Sequence, residues 1–152
     1  MIFDHVSAAW GRDETFSISG KHPENITIQN SIISQGLQTH CAGGLVQADN
    51  ITLYRNLYVD NDTRNAKIKG KNQYVNNIVY NWASGCFIMG GDSEGTHYAN
   101  AQGNLFINGP MGGGNAFGGA NADFHIYAVD NWQDKDKDGV FDPYESPKSE
   151  HS

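Results

Sequence analysis

The stretch NITLYRNLYV, residues 50–59, places apolar side chains at alternating positions on either side of an asparagine. Such alternation is typical of β-strands that bury one face. Four further stretches repeat the pattern: NITIQNSII (25–33), QYVNNIVY (73–80), HYANAQGNLFI (97–107) and HIYAVDNW (125–132). One asparagine from each stretch serves as a marker, and the markers are Asn30, Asn56, Asn77, Asn104 and Asn131. Their spacings are 26, 21, 27 and 27 residues.

Repeats of this length indicate a stacked architecture. Periods of about 20 to 50 residues are typical of solenoids, and units made of short strands favour a parallel β-helix. Coils stacked about 4.8 Å apart would let each marker asparagine hydrogen-bond with its copy in the next coil, at a bend that needs a left-handed backbone. The alternative is an antiparallel sandwich, but Asn-Gly hairpin turns between paired runs are mostly lacking. We therefore predict an all-β parallel β-helix.

Composition narrows the class of protein further. The 152 residues are enough for one domain, and 18 glycines with 38% hydrophobic residues disfavour a helical bundle. A formal net charge of −7 argues against a nucleic-acid binder, which needs a basic surface. The sequence shows neither a membrane-spanning apolar run nor a signal peptide, so secretion would depend on an upstream segment. Cys41 and Cys86 are predicted to be small buried residues rather than a disulfide.

The repeats divide the chain into three parts: coils over residues 1–132, a loop over 133–145 and a disordered tail over 146–152. A terminal coil exposes unpaired backbone edges and normally carries a cap. Nothing before Ile2 supplies such a cap, so we expect a β-helix that is truncated at its N-terminal end.

Four segments follow one another as the strand motifs of pectate lyases do. They are FDHVSAAWGRDETFSI (3–18), ITIQNSIISQGL (26–37), ITLYRNLYVDNDTRNAKIKG (51–70) and YVNNIVYNW (74–82). Over residues 2–132 the chain therefore resembles polysaccharide lyase family 1. Its most specific motif, NDTRNAKIKG, is similar to that family's Asn-x-x-Arg-x-Pro-(Arg/Lys) segment. The resemblance implies a secreted, right-handed parallel β-helix that cleaves polygalacturonate by calcium-dependent β-elimination, and we expect it to be a monomer.

The resemblance also implies roles for individual basic residues. The proton on carbon 5 of the uronate is weakly acidic, and calcium on the adjacent carboxylate stabilises the charge left by its removal. Arg64 matches the family's base, although an arginine needs a nearby cation to favour its neutral form. Lys67 and Lys69 would hold substrate carboxylates, and His40 would contact a sugar. Without the resemblance, the three basic residues form a solvated turn, and His40 is equally well a structural histidine.

The segment DHVSAAWGRDE, residues 4–14, collects three carboxylates within eleven residues. It is either a charged surface turn or one part of a binding site. The resemblance places its last two residues, Asp13 and Glu14, on the calcium-binding side of the groove. Calcium takes about six to eight oxygen ligands, so a complete site would need acidic residues from a preceding coil.

One residue that departs from the family's motif favours an alternative function. Ala42, in the segment THCAGGLV (39–46), stands where the family commonly has a lysine. The alternative to a pectate lyase is therefore a non-catalytic β-helical module that binds calcium and acidic polysaccharide.

The segment DKDKDGVFDPYE, residues 134–145, independently predicts a second calcium site. It places aspartate at positions 1, 3, 5 and 9, glycine at 6 and glutamate at 12, which is the pattern of an EF-hand calcium loop. Gly139 would make the sharp turn. No helix-forming segment flanks the loop, and the alternative is an acidic, solvated turn. The predicted oxygen ligands are the side chains of Asp134, Asp136, Asp138, Asp142 and Glu145 and the carbonyl of Val140.

Overall fold

A computed structural model describes residues 1–37 and 41–146 of the chain. Every regular element in these residues is a β-strand, and none of them forms a helix that could cross a membrane. The predicted all-β class is therefore confirmed. The strands, in chain order, are β1 (Ile2–Asp4), β2 (Ser7–Ala9), β3 (Glu14–Ile18), β4 (Glu24–Gln29), β5 (Ile32–Ser34), β6 (Ala42–Gln47), β7 (Asp49–Tyr54), β8 (Leu57–Val59), β9 (Lys67–Lys69), β10 (Lys71–Val75), β11 (Ile78–Tyr80), β12 (Phe87–Met89), β13 (His97–Gln102), β14 (Leu105–Ile107), β15 (Phe117–Gly118), β16 (Phe124–Val129), β17 (Trp132–Asp134) and β18 (Tyr144–Glu145).

Successive coils add one strand at a time to three parallel sheets. The first sheet is β1-β4-β7-β10-β13-β16, the second is β2-β5-β8-β11-β14-β17, and the third is β3-β6-β9-β12-β15. Because each strand pairs in parallel with the strand one coil away, the chain winds into a solenoid of about five turns. Strand β18 pairs antiparallel with β17 and extends the second sheet. The predicted parallel β-helix is therefore confirmed.

Buried asparagines connect the coils between the first and second sheets. The backbone N–H of Asn56 donates to Oδ1 of Asn77 at 2.9 Å, and that of Asn77 donates to Oδ1 of Asn104 at 2.9 Å. The side-chain amide of Asn104 then donates to Oδ1 of Asn131 at 2.8 Å. An asparagine side chain in each coil thus satisfies buried polar groups of the neighbouring coil. The predicted contact between copies is confirmed for these four markers.

The first marker is wrong by one residue. Ser31 occupies the ladder position in place of Asn30, and its N–H donates to Oδ1 of Asn56 at 3.0 Å. Asn30 precedes it with a φ of 48° and donates its side-chain amide to Asp4. The left-handed residue of the bend is therefore the one before the ladder residue, as it also is at Asn76. Asparagine suits both positions, because it tolerates a left-handed backbone and also hydrogen-bonds along the stack.

Aliphatic and aromatic side chains from all three sheets fill the interior. Tyr58, Tyr74 and Phe87 form a continuous aromatic run, with successive ring centroids 6.0 Å and 5.0 Å apart. Cys86 lies in the same core, as predicted for a small buried residue, whereas Cys41 is half-buried. This packed interior supports the outward-facing side chains of each sheet on fixed strands.

Candidate functional site

The predicted groove residues come from two coils of the third sheet. Lys67 and Lys69 lie in β9, and Arg64 lies three residues before Lys67. Glu14 begins β3, and Asp13 directly precedes it. Strand β6 lies between β3 and β9 in the sheet. Parallel stacking therefore brings segments that are 50 residues apart in the sequence onto one surface.

Arg64 reaches across this surface to the carboxylates. Its Nη1 donates a hydrogen bond to Oε1 of Glu14 and lies 3.9 Å from Oδ1 of Asp13. The side chain of Glu14 is 11% exposed, whereas that of Asp13 is 68% exposed. Asp13 is therefore open to solvent or to an ion, while Glu14 is engaged by the guanidinium.

Ala42 lies between the two charged partners. It pairs with Glu14 on one side and forms a parallel bridge with Thr63 on the other, and its side chain is fully buried. A methyl group takes up little space, so Glu14 and Arg64 meet directly across the intervening coil. Ala42, which stands where the resembled family commonly has a lysine, therefore lies at the ion pair between Glu14 and Arg64.

Neighbouring coils fix the backbone that carries Arg64. Its carbonyl accepts the N–H of Gly44 at 2.6 Å, and the N–H of Asn65 donates to the carbonyl of Cys86 at 2.8 Å. The hydroxyl of the buried Tyr74 donates to the carbonyl of Asn65 at 2.7 Å. The guanidinium therefore extends from a segment that is held by coils on both sides and by the core.

Lys67 has a partner that the sequence did not indicate. Its Nζ lies 2.6 Å from Oδ1 of Asp92, which follows β12 in the next coil. The side chain of Lys67 is 10% exposed, whereas that of Asp92 is 92% exposed. The hydrogen bond from Lys67 lowers the pKa of Asp92. The ammonium of Lys67 is therefore nearly buried, whereas its carboxylate partner Asp92 is open to solvent.

Lys69 lines a groove of about 670 Å³ at the corner where the third sheet turns into the first. Four successive turns line it, and they contribute Glu24, Asp49, Lys69 and His97, among others. Partial burial, followed by the positive charge of Lys67, lowers the pKa of Lys69. This groove therefore combines one lysine with two carboxylates, and Arg64, Lys67, Asp13 and Glu14 do not line it.

His97 is a neutral hydrogen-bond acceptor in this groove. Its Nδ1 accepts the N–H of Gly70 at 3.0 Å, which requires that Nδ1 carry no proton. Burial, followed by the charge of Lys69, lowers the pKa of His97. His97 is buried, and this hydrogen bond ties the turn at Gly70 to the next coil.

The predicted calcium loop follows directly on the second sheet. Asp134 ends β17 and is buried, whereas Asp136 and Asp142 are exposed, and oxygens of the three carboxylates lie within 4.8 Å of one another. Gly139 has a φ of 84°, as expected for the residue that makes the turn. Burial, followed by the charges of the neighbouring aspartates, raises the pKa of Asp134.

Two predicted acidic ligands lie outside this group of three. Oδ1 of Asp138 accepts the N–H of Val140 at 2.7 Å, and Glu145 lies in β18 opposite Trp132. Among the described residues, strands rather than helices flank the loop. The structure therefore brings three of the predicted side-chain ligands together, and these are Asp134, Asp136 and Asp142.

Comparison with known proteins establishes the relationship. No protein-family model matches the chain. It is 58% identical over 146 residues to a probable pectate lyase C of Aspergillus fumigatus, covering 95% of this chain and 34% of that protein. The chain is a homologue of the fungal pectate lyases. Probable pectate lyases C of Neosartorya fischeri and Aspergillus terreus are 58% and 57% identical, over 93% and 92% of this chain and 34% and 33% of theirs.

The chain spans about a third of the length of these pectate lyases. The aligned region covers 95% of the chain and so spans the strands of all three sheets. The resemblance to pectate lyases that the sequence motifs indicated is therefore confirmed.

Sequence reasoning missed two residues: Asp92, which contacts Lys67, and His97, which lines the groove beside Lys69. Asp92 lies in the segment GGDSEG (90–95), where an aspartate within a glycine-rich turn was the available signal. His97 begins β13, and a histidine inside a strand pattern carries no signal of its own. The predicted sugar contact His40 lies outside the described residues.

Proposed function

We propose that the chain carries the groove of a calcium-dependent pectate lyase, which cleaves polygalacturonate by β-elimination. The observation that carries this proposal is the convergence of Arg64, Lys67 and Lys69 with Asp13 and Glu14 on the third sheet. The 58% identity to a probable pectate lyase C supports it. The protein would act as a monomer outside the cell, where this acidic polysaccharide occurs, and would bind neither nucleic acid nor membrane.

Calcium is the metal that this set of residues suits. The candidate ligands are carboxylates and one backbone carbonyl, and calcium prefers such oxygen donors. Asp13 is open to an ion, and Asp134, Asp136 and Asp142 already hold three oxygens close together. Glu14 holds Arg64 in this structure, so it would reach an ion only by releasing the guanidinium. Bound at the groove, calcium would draw charge from the uronate carboxylate and so acidify the proton on carbon 5.

The basic residues would bind the sugar and remove its proton. Lys67 and Lys69 would hold uronate carboxylates, with Lys67 exchanging Asp92 for the substrate. Arg64 would accept the proton from carbon 5, whose electron pair then forms the double bond between carbons 4 and 5. The bond from carbon 4 to the glycosidic oxygen breaks, and that oxygen leaves as a hydroxyl after taking a proton from water. His40 is proposed as a further contact to the sugar.

A second calcium ion would bind the loop that follows β17. Its first oxygens would come from the three carboxylates that already lie together. Burial, followed by repulsion from the neighbouring aspartates, raises the pKa of Asp134; the ion would offset that repulsion and would tie the loop to β17. The proposed ligands are Asp134, Asp136, Asp138, Asp142 and Glu145 with the carbonyl of Val140.

The second candidate function is a non-catalytic module that binds calcium and acidic polysaccharide. Ala42 favours it, because this residue is fully buried where the resembled family commonly carries a lysine. The contact between Glu14 and Arg64 favours it too, since it engages the proposed base. Both functions need Lys67 and Lys69, but only the lyase needs Arg64 to accept a proton.

Turnover of polygalacturonate separates the two functions. The chain and a full-length parent are mixed with polygalacturonate and calcium, and the ultraviolet absorbance of unsaturated uronate is followed against an EDTA control. A rise in absorbance that requires calcium and is lost in Arg64→Ala supports the lyase. Binding of polygalacturonate by both proteins, without any rise, supports the module.

A further inference from the structure

Three asparagines of the chain begin the motif Asn-x-Thr, in which x is not proline. This motif is the acceptor for N-linked glycosylation in secreted proteins. A glycan is bulky and polar, so a modified asparagine must lie on the surface of the folded protein. The three candidates are Asn25 in NIT (25–27), Asn50 in NIT (50–52) and Asn61 in NDT (61–63).

Asn25 and Asn50 occupy equivalent positions in neighbouring coils of the first sheet. Strands β4 and β7 pair in parallel and align the isoleucine and the threonine of one NIT motif with those of the other. Both isoleucines pack in the core, whereas both asparagines are exposed. Among the residues that the structure describes, neither asparagine donates its side-chain amide to a neighbour. Both amides are therefore accessible.

Asn61 differs from these two because it is part of the interior. It is 1% exposed, and its Oδ1 accepts the N–H of Gly36 at 3.1 Å. Its Nδ2 donates to the carbonyl of Ile33 at 3.0 Å and to Oδ1 of Asn65 at 3.1 Å. A sugar on Nδ2 would replace one of these two hydrogens and would have no path to solvent. The folded coil is therefore incompatible with a glycan on Asn61.

Backbone conformation gives Asn25 and Asn50 a structural role as well. Each has a φ of 56°, and asparagine tolerates this left-handed region better than most residues. This role does not require a threonine two residues later. In the three following coils, lysine, tyrosine and histidine stand at the asparagine position, and glutamine, asparagine and tyrosine stand at the threonine position. Among these five aligned strands, threonine therefore occurs only where the acceptor asparagine occurs.

A depression of about 600 Å³ adjoins the two exposed asparagines. Asn25 and Asn50 line it, together with Gln73, Tyr98 and Asn100. Amide and hydroxyl groups both donate to and accept from sugar hydroxyls. The inner sugars of an N-linked glycan are uncharged, so the nearby charges of Asp49 and Lys71 do not oppose them. The surface next to both acceptors therefore suits neutral sugars.

We propose that Asn25 and Asn50 are N-glycosylated and that Asn61 is not. Nδ2 of each acceptor forms a bond to carbon 1 of an oligosaccharide that is linked to a lipid pyrophosphate. The bond from carbon 1 to the pyrophosphate oxygen breaks, the pyrophosphate leaves with the electron pair, and Nδ2 loses one proton. This inference rests on the secreted location in the proposed function, because the lipid-linked donor is met on the secretory route. Both glycans would lie on the first sheet and leave Arg64 and Lys67 of the third sheet uncovered.

Mass spectrometry of the full-length parent tests the assignment. The parent is produced in yeast behind a yeast secretion signal and is purified from cells and medium together. Peptide N-glycosidase removes each glycan and converts the modified asparagine to aspartate, so the peptides report which residues were modified. Conversion is expected at Asn25 and Asn50, and Asn61 should stay unconverted.

Threonine variants test each motif without changing its asparagine. Valine is similar to threonine in shape and suits a strand. Thr27→Val and Thr52→Val should each remove one glycan from the intact protein, whereas Thr63→Val should remove none. Thr52→Ser is the matched control, because it keeps the motif and should keep the glycan. Thermal melts followed by circular dichroism establish that each variant is folded.

The assignment is overturned for Asn25 or Asn50 if that residue carries no glycan in the wild type. It is overturned for Asn61 if that residue is converted in folded protein, or if Thr63→Val removes a glycan. A lyase assay on the same samples keeps the two proposals apart. Glycans on Asn25 and Asn50 without turnover of polygalacturonate would count against the proposed function alone, and turnover by an unmodified protein would count against this inference alone.

Discussion

The groove and the predicted calcium loop arrange charge in opposite ways. In the groove, each of two cations meets a carboxylate from another coil: Arg64 meets Glu14, and Lys67 meets Asp92. In the loop, three carboxylates gather within 4.8 Å of one another. Opposite charges stabilise the groove without an ion, whereas like charges in the loop repel one another until a cation binds. Calcium would therefore serve chemistry at the groove and stability at the loop.

The two regions also differ in how firmly their backbone is held. Lys67 and Lys69 lie on β9, which pairs in parallel with β6 on one side and with β12 on the other. The loop leaves Val140 59% and Phe141 62% exposed, so it buries little apolar surface. A segment with few buried contacts has little to offset its conformational entropy. Ion binding is therefore expected to order the loop and to leave the coils unchanged.

Removing Arg64 should have the largest effect on activity. It also tests whether the groove and the loop act independently. In a full-length parent, Arg64→Ala should lower kcat for elimination by about 10² to 10⁴-fold, the usual contribution of a general base. Calcium affinity at the loop should not change, because Arg64 contacts Glu14 rather than any loop residue. The absorbance of unsaturated uronate measures turnover, and calorimetric titration on the same sample measures calcium binding.

Arg55→Ala is the matched control for this experiment. Arg55 and Arg64 have φ values of 55° and 54°, but Arg55 lies in the bend between β7 and β8, away from the third sheet. The control should keep the wild-type rate. Retained turnover in Arg64→Ala would remove Arg64 from the role of base. Weakened calcium binding in Arg64→Ala would show that the groove and the loop are coupled.

The ladder shows why the scaffold could be predicted from the sequence. Strand alternation and the asparagine spacing recur in every coil, so weak local signals reinforce one another. The error at Asn30 marks the limit of this reasoning. Two adjacent bend positions both accept asparagine, and Ser31 is recognised as the ladder residue only by its bond to Asn56.

Contacts between coils at the site could not be predicted in this way. Glu14 and Arg64 are 50 residues apart and meet across the small side chain of Ala42. Asp92 reaches Lys67 from a turn between the third and first sheets. The resemblance to pectate lyases assigns a role to each basic residue, but the partner of each depends on the conformation of turns that strand periodicity does not fix.

Removing loop ligands should give the next largest effect. Replacing Asp134 and Glu145 together with alanine should abolish the stabilisation by calcium, which is about 2.7 kcal/mol at a ligand concentration one hundred times the Kd. The coils around Asn56 should remain folded, because the ladder lies outside the loop. Thermal melts with calcium and with EDTA measure the increment, and calorimetric titration measures the affinity.

Two single variants sharpen this experiment. Asp142 belongs to the group of three carboxylates and Glu145 does not, so Asp142→Ala should lose more of the calcium increment than Glu145→Ala. Asp13→Asn removes a groove carboxylate and should keep the whole increment. If the double variant matched the wild type in calcium stoichiometry and affinity, the loop would be an acidic surface turn.

Substrate affinity probes the ion pair at Lys67. Lys67→Gln should raise KM for polygalacturonate about tenfold and leave kcat nearly unchanged, because it removes a charge-assisted contact that persists from ground state to transition state. Asp92→Asn removes an exposed competitor for the same ammonium and should lower KM by about twofold. An increase of KM in Asp92→Asn would show that Asp92 assists substrate binding instead of competing with it.

The smallest expected effect is a pH dependence of stability at the groove. His97 accepts the N–H of Gly70 through Nδ1, and burial lowers its pKa. The unfolded histidine therefore takes up a proton more readily than the folded one. Its contribution to stability is present above the ordinary pKa of about 6.5 and is lost as the pH falls below that value. Thermal melts in EDTA on both sides of this pH measure the loss.

His97→Gln should flatten this profile, because a glutamine oxygen still accepts the N–H of Gly70 but does not titrate. His125→Gln, at an exposed histidine of the first sheet, should leave the profile as it is in the wild type. The loop should respond in the opposite direction. Since the pKa of Asp134 is raised, the folded state holds that proton more tightly, and the contribution of Asp134 to stability falls as the pH rises. If the dependence of stability on pH were unchanged in His97→Gln, the Gly70 contact would not depend on the protonation of His97. The groove and the loop would then no longer respond to pH in opposite directions.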